Sequence, residues 1–190
     1  MSETEVFYPE NIRAWRSWLT DNHQTQKSVW LVFYRKGSSM PSITWSEAVD
    51  VALCFGWIDS KRIKIDEETS HQFFTRRKPK STWSKINKEK VARFIELGLM
   101  TQAGLESVML AKQNGSWNSL DEIEELFIPS DLEAALLQHE SAMPFFESLS
   151  KSNKKMALYW ISSAKRPETR QKRVDHVAML SANKEKFKLS

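Results

Sequence analysis

One stretch limits the possible folds of this chain more than any other: SVWLVFYRK, residues 28–36, is dense in β-branched and aromatic side chains and stops at Gly37. Such a run reads as a buried strand followed by a loop, here GSSMPS. A second strand is predicted over residues 57–65, where Ile58, Ser60, Arg62 and Lys64 alternate imperfectly with Trp57, Asp59, Lys61, Ile63 and Ile65. After the acidic turn DEETS a third strand follows over 71–77, and these two make an antiparallel hairpin. Together the three segments form a small antiparallel sheet.

Helical spacing surrounds these strands and then takes over. Ile12, Trp15, Trp18 and Leu19 recur three and four residues apart, predicting a helix over 9–22 that Pro9 opens. Thr44 with Glu47 makes a capping box for a second helix, carried by Ala48, Val51, Ala52 and Phe55 and stopped by Gly56. From Asn87, read as an N-cap, Val91, Phe94 and Ile95 share a face until Gly98. Further helices are expected over 102–112, 130–138 (a capping box of Ser130 and Glu133), 144–149, 153–164 and 167–182. The segment NGSWNSLD, 114–121, reads as a loop or linker, and the lysine-rich end NKEKFKLS as frayed. The expected class is α+β: a small N-terminal sheet with flanking helices over 1–86, then a mostly helical C-terminal region over 87–190. The two regions belong to one compact domain or stand as two.

Composition removes several classes of protein. Hydrophobic residues at 41% and charged residues at 27% are ordinary globular values, and no segment has 18 apolar residues in a row. The start MSETEVFYPE has no basic or apolar export signal, so the expected compartment is the cytoplasm. The single cysteine, Cys54, sits in the apolar run 51–57 and reads as a buried, reduced thiol. The four histidines, at 23, 71, 139 and 176, lack ligand spacing, and nothing points to a metal or a cofactor. Signatures such as GxxxxGK[ST], HExxH, CxxC and GxSxG are missing.

The charge is uneven along the chain. Residues 61–93 carry eleven Lys/Arg against four acids, 94–150 one Lys against ten acids, and 151–173 eight Lys/Arg against one Glu. Either the blocks neutralise one another in the fold or the basic ones converge on an anion. The segment 74–87 holds Arg76, Arg77, Lys78, Lys80, Ser81, Trp83, Ser84 and Asn87 between a strand end and a helix start. A helix N-terminus with arginine forks beside it is suited to phosphate, sulfate or carboxylate. Trp83 there is either a core residue or a stacking surface, and Asp59 is either the ion-pair partner of an arginine such as Arg77 or, with Trp57, a site residue. Lys165, Arg166, Arg170 and Arg173 form a second basic block, read as a salt-bridged helix face or as another wall of the same pocket.

Two blocks carry a resemblance. The first runs through Glu47–Ala48, ALCFGWID at 52–59, FTRRK at 74–78, KSTWS at 80–84 and Asn87; the second through Trp160–Ile161, Ala164–Lys165–Arg166, Glu168–Thr169–Arg170 and Arg173. In this order, over nearly the whole chain, they resemble the YdeI/OmpD-associated, bacteriocin-protection family. That family tends to carry proline before the arginine of the first basic run, where this chain has Arg76. The resemblance implies a link to resistance against bacteriocins and cationic antimicrobial peptides. Some descriptions of the family place members in the periplasm or beside an outer-membrane porin.

The leading expectation is a non-enzymatic binder of an anionic small molecule or phosphorylated partner. The site would be built from Trp57, Asp59, Arg76, Arg77, Lys80, Ser81, Trp83, Ser84, Asn87, Lys165, Arg166 and Arg170. Nucleic-acid binding through basic residues and Trp is a second reading. A small-molecule enzyme with a site between sheet and helices is a third, with Asp59 or His71 as general base.

Overall fold

The computed structural model describes residues 4–188. The chain divides into two compact units, residues 1–118 and 119–190.

The first unit holds a four-stranded sheet of order β1-β2-β4-β3. β2 (Ser28–Tyr34) is the predicted buried strand, with Val29, Leu31, Val32 and Phe33 buried. β3 (Trp57–Lys64) and β4 (Thr69–Arg76) form the predicted hairpin, and β4 pairs antiparallel with β2 as well. The first strand, β1 (Val6–Phe7), lies in the start MSETEVFYPE, where no strand is predicted, and pairs parallel with β2. Two residues are too few for a periodic signal. The imperfect alternation in β3 has a structural cause: the register shifts between Asp59 and Arg62. Such an irregularity leaves ladder groups to be satisfied locally. Buried Gln72 does so, donating from Nε2 to Ser60 O at 3.0 Å and to Asp59 Oδ2 at 3.1 Å.

Helix α1 (Ile12–Asn22) is capped by Asn11, whose Oδ1 accepts from Ala14 N at 2.9 Å, so Pro9 lies before the helix and does not open it. Its Trp15, Trp18 and Leu19 are buried. Trp15 and Trp18 stack on each other at 5.4 Å, and Trp15 meets Phe74 of β4 edge to face at 5.5 Å. Both indole N–H groups are satisfied, Trp15 by Ala48 O at 3.0 Å and Trp18 by Glu5 Oε1 at 2.9 Å. Helix α2 (Trp45–Cys54) begins with the predicted Thr44/Glu47 capping box. Cys54 at its end is buried and donates to Asp50 O, and burial pushes its thiol pKa up.

Helices α3 (Lys85–Glu96) and α4 (Gln102–Gln113) also belong to this unit, placing Val91, Phe94, Val108 and Ala111 in the same core as the sheet. The division therefore falls within the predicted loop 114–121, not at residue 86. The N-cap of α3 is Ser84, whose Oγ accepts from Asn87 N at 3.3 Å; Asn87 lies inside the first turn. Thr101 caps α4 and donates from Oγ1 to Cys54 O at 2.8 Å.

The second unit is helical: α5 (Asp121–Glu124), α6 (Ser130–Leu137), α7 (Ala142–Ser148), α8 (Lys151–Ser162) and α9 (Pro167–Ala182). Its core gathers Leu132, Leu136, Phe146, Leu158, Ile161, Val174 and Val177. Ser130 is the first helical residue of α6, preceded by Pro129, and no side chain caps that end. Phe187, expected to be frayed, is 4% exposed; it packs on Trp160 at 4.9 Å, and its carbonyl accepts from Asn153 Nδ2 at 3.0 Å. No helix among the described residues is long and apolar enough to cross a membrane.

Candidate functional site

Two glycines set the wall of a cavity in the first unit. Gly56 ends α2 at φ +72°, the left-handed region that favours glycine, and turns the chain into Trp57. A Cβ there would lie 3.0 Å from Ala103 O and 3.1 Å from Ser107 Cβ on α4. Gly104 faces the other way: a Cβ on it would lie 2.2 Å from Cys54 O. Helix α4 thus runs against the α2–β3 turn more closely than side chains allow. Beside this contact Ala103, Glu106, Ser107 and Leu110 of α4, with Phe55, Gly56 and Trp57, line a cavity of about 460 Å³ that His23, Gln24, Arg76, Arg77, Lys78, Pro79 and Trp83 complete.

Arg77 leaves β4 with its N–H on Gly56 O at 2.9 Å, and this bond ties the basic loop to the turn. Its guanidinium lies on the Trp83 ring, 3.6 Å from the ring centroid, and Nη1 donates to Ser81 Oγ at 3.2 Å and Thr82 O at 3.1 Å. Burial pulls its pKa down to about 10, against a smaller opposing effect of the Asp59 charge, so Arg77 remains a cation at pH 7. No carboxylate among the described residues bonds it. Behind this wall two N–H groups of its residues, Arg77 Nε and Trp57 Nε1, are buried out of reach of the cavity with no hydrogen-bond partner. Trp57 is 0% exposed. Unpaired buried donors of this kind cost roughly 1–3 kcal/mol each and are uncommon in folded proteins.

Of the residues expected at a site, Trp57, Arg76, Arg77 and Trp83 come together in this wall. Ser81 supports Arg77 from behind, and Ser84 is spent on capping α3. Lys80 is exposed in the turn and, like Asn87, does not line the cavity. Asp59 is not the ion-pair partner of Arg77. Its Oδ2 accepts from Trp45 Nε1 at 2.9 Å and from Gln72 Nε2 at 3.1 Å instead. His71, the other expected base, stands beside Trp30 with ring centroids 6.5 Å apart and is also outside the cavity lining. Trp83, 1% exposed, carries Arg77 on its ring and packs beside Trp117 at 5.0 Å, so it has no open face for a base or sugar. Arg76 turns its fork to the chain after α1, with Nε on Gln26 O at 2.8 Å and Nη2 on Gln24 O at 2.7 Å.

Lys165, Arg166 and Arg170 belong to the second unit. Arg170 is held by Asp131 through Nε at 2.6 Å and Nη2 at 2.9 Å, and Arg173 lies over Trp160 and donates to Ser163 Oγ at 2.8 Å. Sequence reasoning missed Phe55, Ser107, Glu106 and Leu110 as cavity residues. The one available signal was glycine: Gly56 and Gly104 mark where two segments touch. Among the described residues no three His, Cys, Asp or Glu side chains form a metal-binding cluster.

Comparison with known proteins divides the chain in the same place. A family model described as "Domain of unknown function (DUF8412)" matches residues 7–107, more than half of the chain. A second, described as "Bacteriocin-protection, YdeI or OmpD-Associated", matches residues 125–184. No curated protein and no solved structure matches. The YdeI/OmpD resemblance thus holds over the second basic block, while the segment with FGWID and KSTWS falls under the other family. The chain belongs to the DUF8412 family through its first unit and carries a YdeI/OmpD-associated domain in its second.

Proposed function

We propose that the first unit is a binding module for a small anion, held in the cavity by Arg77. The observation that carries this reading is Arg77, a cation in the wall of the cavity that no carboxylate among the described residues bonds and whose Nη2 makes no hydrogen bond within the protein. An anion entering that cavity supplies the acceptor and the counter-charge together, and a charge-assisted bond in a desolvated site is worth more than one at the surface. Binding rather than catalysis is favoured because the expected bases, Asp59 and His71, lie off the cavity. His23, which does line it, is anchored through Nδ1 on Leu19 O at 2.8 Å, a bond that leaves Nε2 unused. The bacteriocin protection in the description of the C-terminal match suggests the setting, a stress or peptide-resistance response.

The test is a thermal-shift screen of the full chain against phosphate, sulfate, acetate, amino acids, sugar phosphates and nucleotides, repeated on Arg77→Met. A ligand of the native state raises the melting temperature by mass action. At least one anion is expected to stabilise the parent and not the variant. Equal shifts in both proteins would overturn the proposal.

A further inference from the structure

Another cavity of the first unit shares no lining residue with the one beside Arg77 and lies where β2 leaves the sheet. Gly37 turns the chain at φ +92°, in the left-handed region, and the loop after it folds back so that Ser42 Oγ accepts from Tyr34 N at 3.1 Å. This loop, the end of β2, the start of α2 and Arg62 of β3 enclose about 470 Å³, a volume in the range of small-molecule sites. Trp45 lines it, the only exposed one of the eight tryptophans, at 51%. An indole in a folded protein usually covers its ring and finds an acceptor for its N–H. Trp45 does only the second: Nε1 donates to Asp59 Oδ2 at 2.9 Å, which pins the side chain, while no other ring or cation among the described residues lies on its own. The result is a flat apolar surface held in one orientation and open to solvent.

The side chains of this lining that are charged at pH 7 are all cations: Arg35, Lys36 and Arg62. Three carboxylates stand outside the lining. Glu68 pairs with Arg35, Glu47 Oε2 accepts from Thr44 N and Oγ1 at 2.7 Å, and Asp59 is held by Trp45 and Gln72. With these counted the region has no large net charge, so an anion is held by contact rather than by a long-range field. The open contacts are on Lys36 and Arg62, both exposed. Lys36 has no partner among the described residues, and no carboxylate among them bonds Arg62. Arg62 turns Nε and Nη2 onto Ser70 Oγ at 3.0 and 2.6 Å, which fixes the guanidinium and leaves its Nη1/Nη2 end. That end takes two oxygens of an anion; a carboxylate then has none left for Lys36, and a phosphate monoester has a third. An open aromatic face stacks on any base or flat ring. We infer that this cavity binds a small phosphate ester carrying a planar aromatic group, of which a nucleoside monophosphate is the type: its ring lies on Trp45 and its phosphate on Lys36 and Arg62.

The experiment follows the indole N–H resonances of the isotope-labelled full chain by NMR, with affinities from titration calorimetry. The probes are adenosine monophosphate, adenosine, ribose phosphate, phenyl phosphate and benzoate. The Trp45 resonance is the one that Trp45→Leu removes. Adenosine monophosphate is expected to shift it and to bind about five-fold tighter than adenosine or ribose phosphate, and phenyl phosphate tighter than benzoate. Trp45→Leu and the double variant Lys36→Met, Arg62→Met should each remove that advantage; all three side chains are exposed, so the core stays as it is. Trp45→Phe, which keeps a ring, should retain most of it, and Arg77→Met, in the other cavity, should not change it. A Trp45 resonance that no probe moves at millimolar concentration overturns the proposal, as does adenosine or benzoate binding as tightly as its phosphate counterpart. Nucleotide binding that survives Trp45→Leu but is lost in Arg77→Met overturns it too, and leaves the anion reading of the first cavity standing.

Discussion

Arg77 is a half-buried cation without a carboxylate partner, and such a residue is costly to a fold and useful to a site. Replacing it with Met removes a desolvated charge and two hydrogen bonds while keeping most of the packing on Trp83. The expected result is a change in unfolding free energy within about 1 kcal/mol, read by urea denaturation, alongside loss of anion binding. A loss of several kcal/mol would mean that Arg77 serves the fold first. The glycines behave oppositely. Gly104→Ala drives a methyl group to 2.2 Å from Cys54 O, where backbone must move, and should cost about 3 kcal/mol or more in the same measurement. Gly56→Ala is set mainly by its left-handed backbone and should cost about 1–2 kcal/mol.

At the scale of elements, the start of α3 separates the sequence-based expectation from the structure. Ser84→Ala removes the side chain that accepts Asn87 N and should cost about 1 kcal/mol in thermal or urea unfolding, whereas Asn87→Ala, inside the helix, should cost less. The reverse order would restore Asn87 as the cap. Both residues are good caps, and the apolar spacing from Val91 onward does not say which of them the helix starts behind. Other elements were legible for plain physical reasons. The run in β2, the Thr44/Glu47 box and the three-and-four spacing of Trp15, Trp18 and Leu19 are local signals, and each element formed where they stood. The two-residue β1, the register shift at Asp59 and the uncapped α6 depend on partners elsewhere in the chain, so no window of sequence displays them. The site divides in the same way. Arg77, Trp57 and Trp83 were visible as a dense motif, but the wall from α4 was not, because it is assembled by glycine contacts between segments roughly fifty residues apart.

For the whole molecule the division after residue 118 has consequences at both ends. Every cavity residue and every member of the first core lies before it. A fragment of residues 1–118 should therefore unfold cooperatively and keep the anion response. A fragment cut at residue 86 loses Val91, Phe94, Val108 and Ala111 from its core and should not fold, as circular dichroism and one-dimensional NMR would show. The second unit has its own response to acid. The Arg170 bond, more than any other influence, holds the Asp131 carboxyl below its ordinary range, and Asp131 in turn raises Arg170. With the folded pKa depressed, the unfolded state takes up the proton more readily. The pair's contribution is then present at neutral pH and lost as pH falls through the carboxylate range. Asp131→Asn should flatten the acid side of the stability profile without steepening it elsewhere. The first unit carries a different reporter. The chain's only sulfhydryl, Cys54, is 2% exposed at the end of α2, and no alkylating reagent reaches it while that core is closed. The rate at which iodoacetamide consumes it in the native protein is thus a clock for the opening of the cavity-bearing unit alone, and any ligand that settles in the cavity should slow that clock.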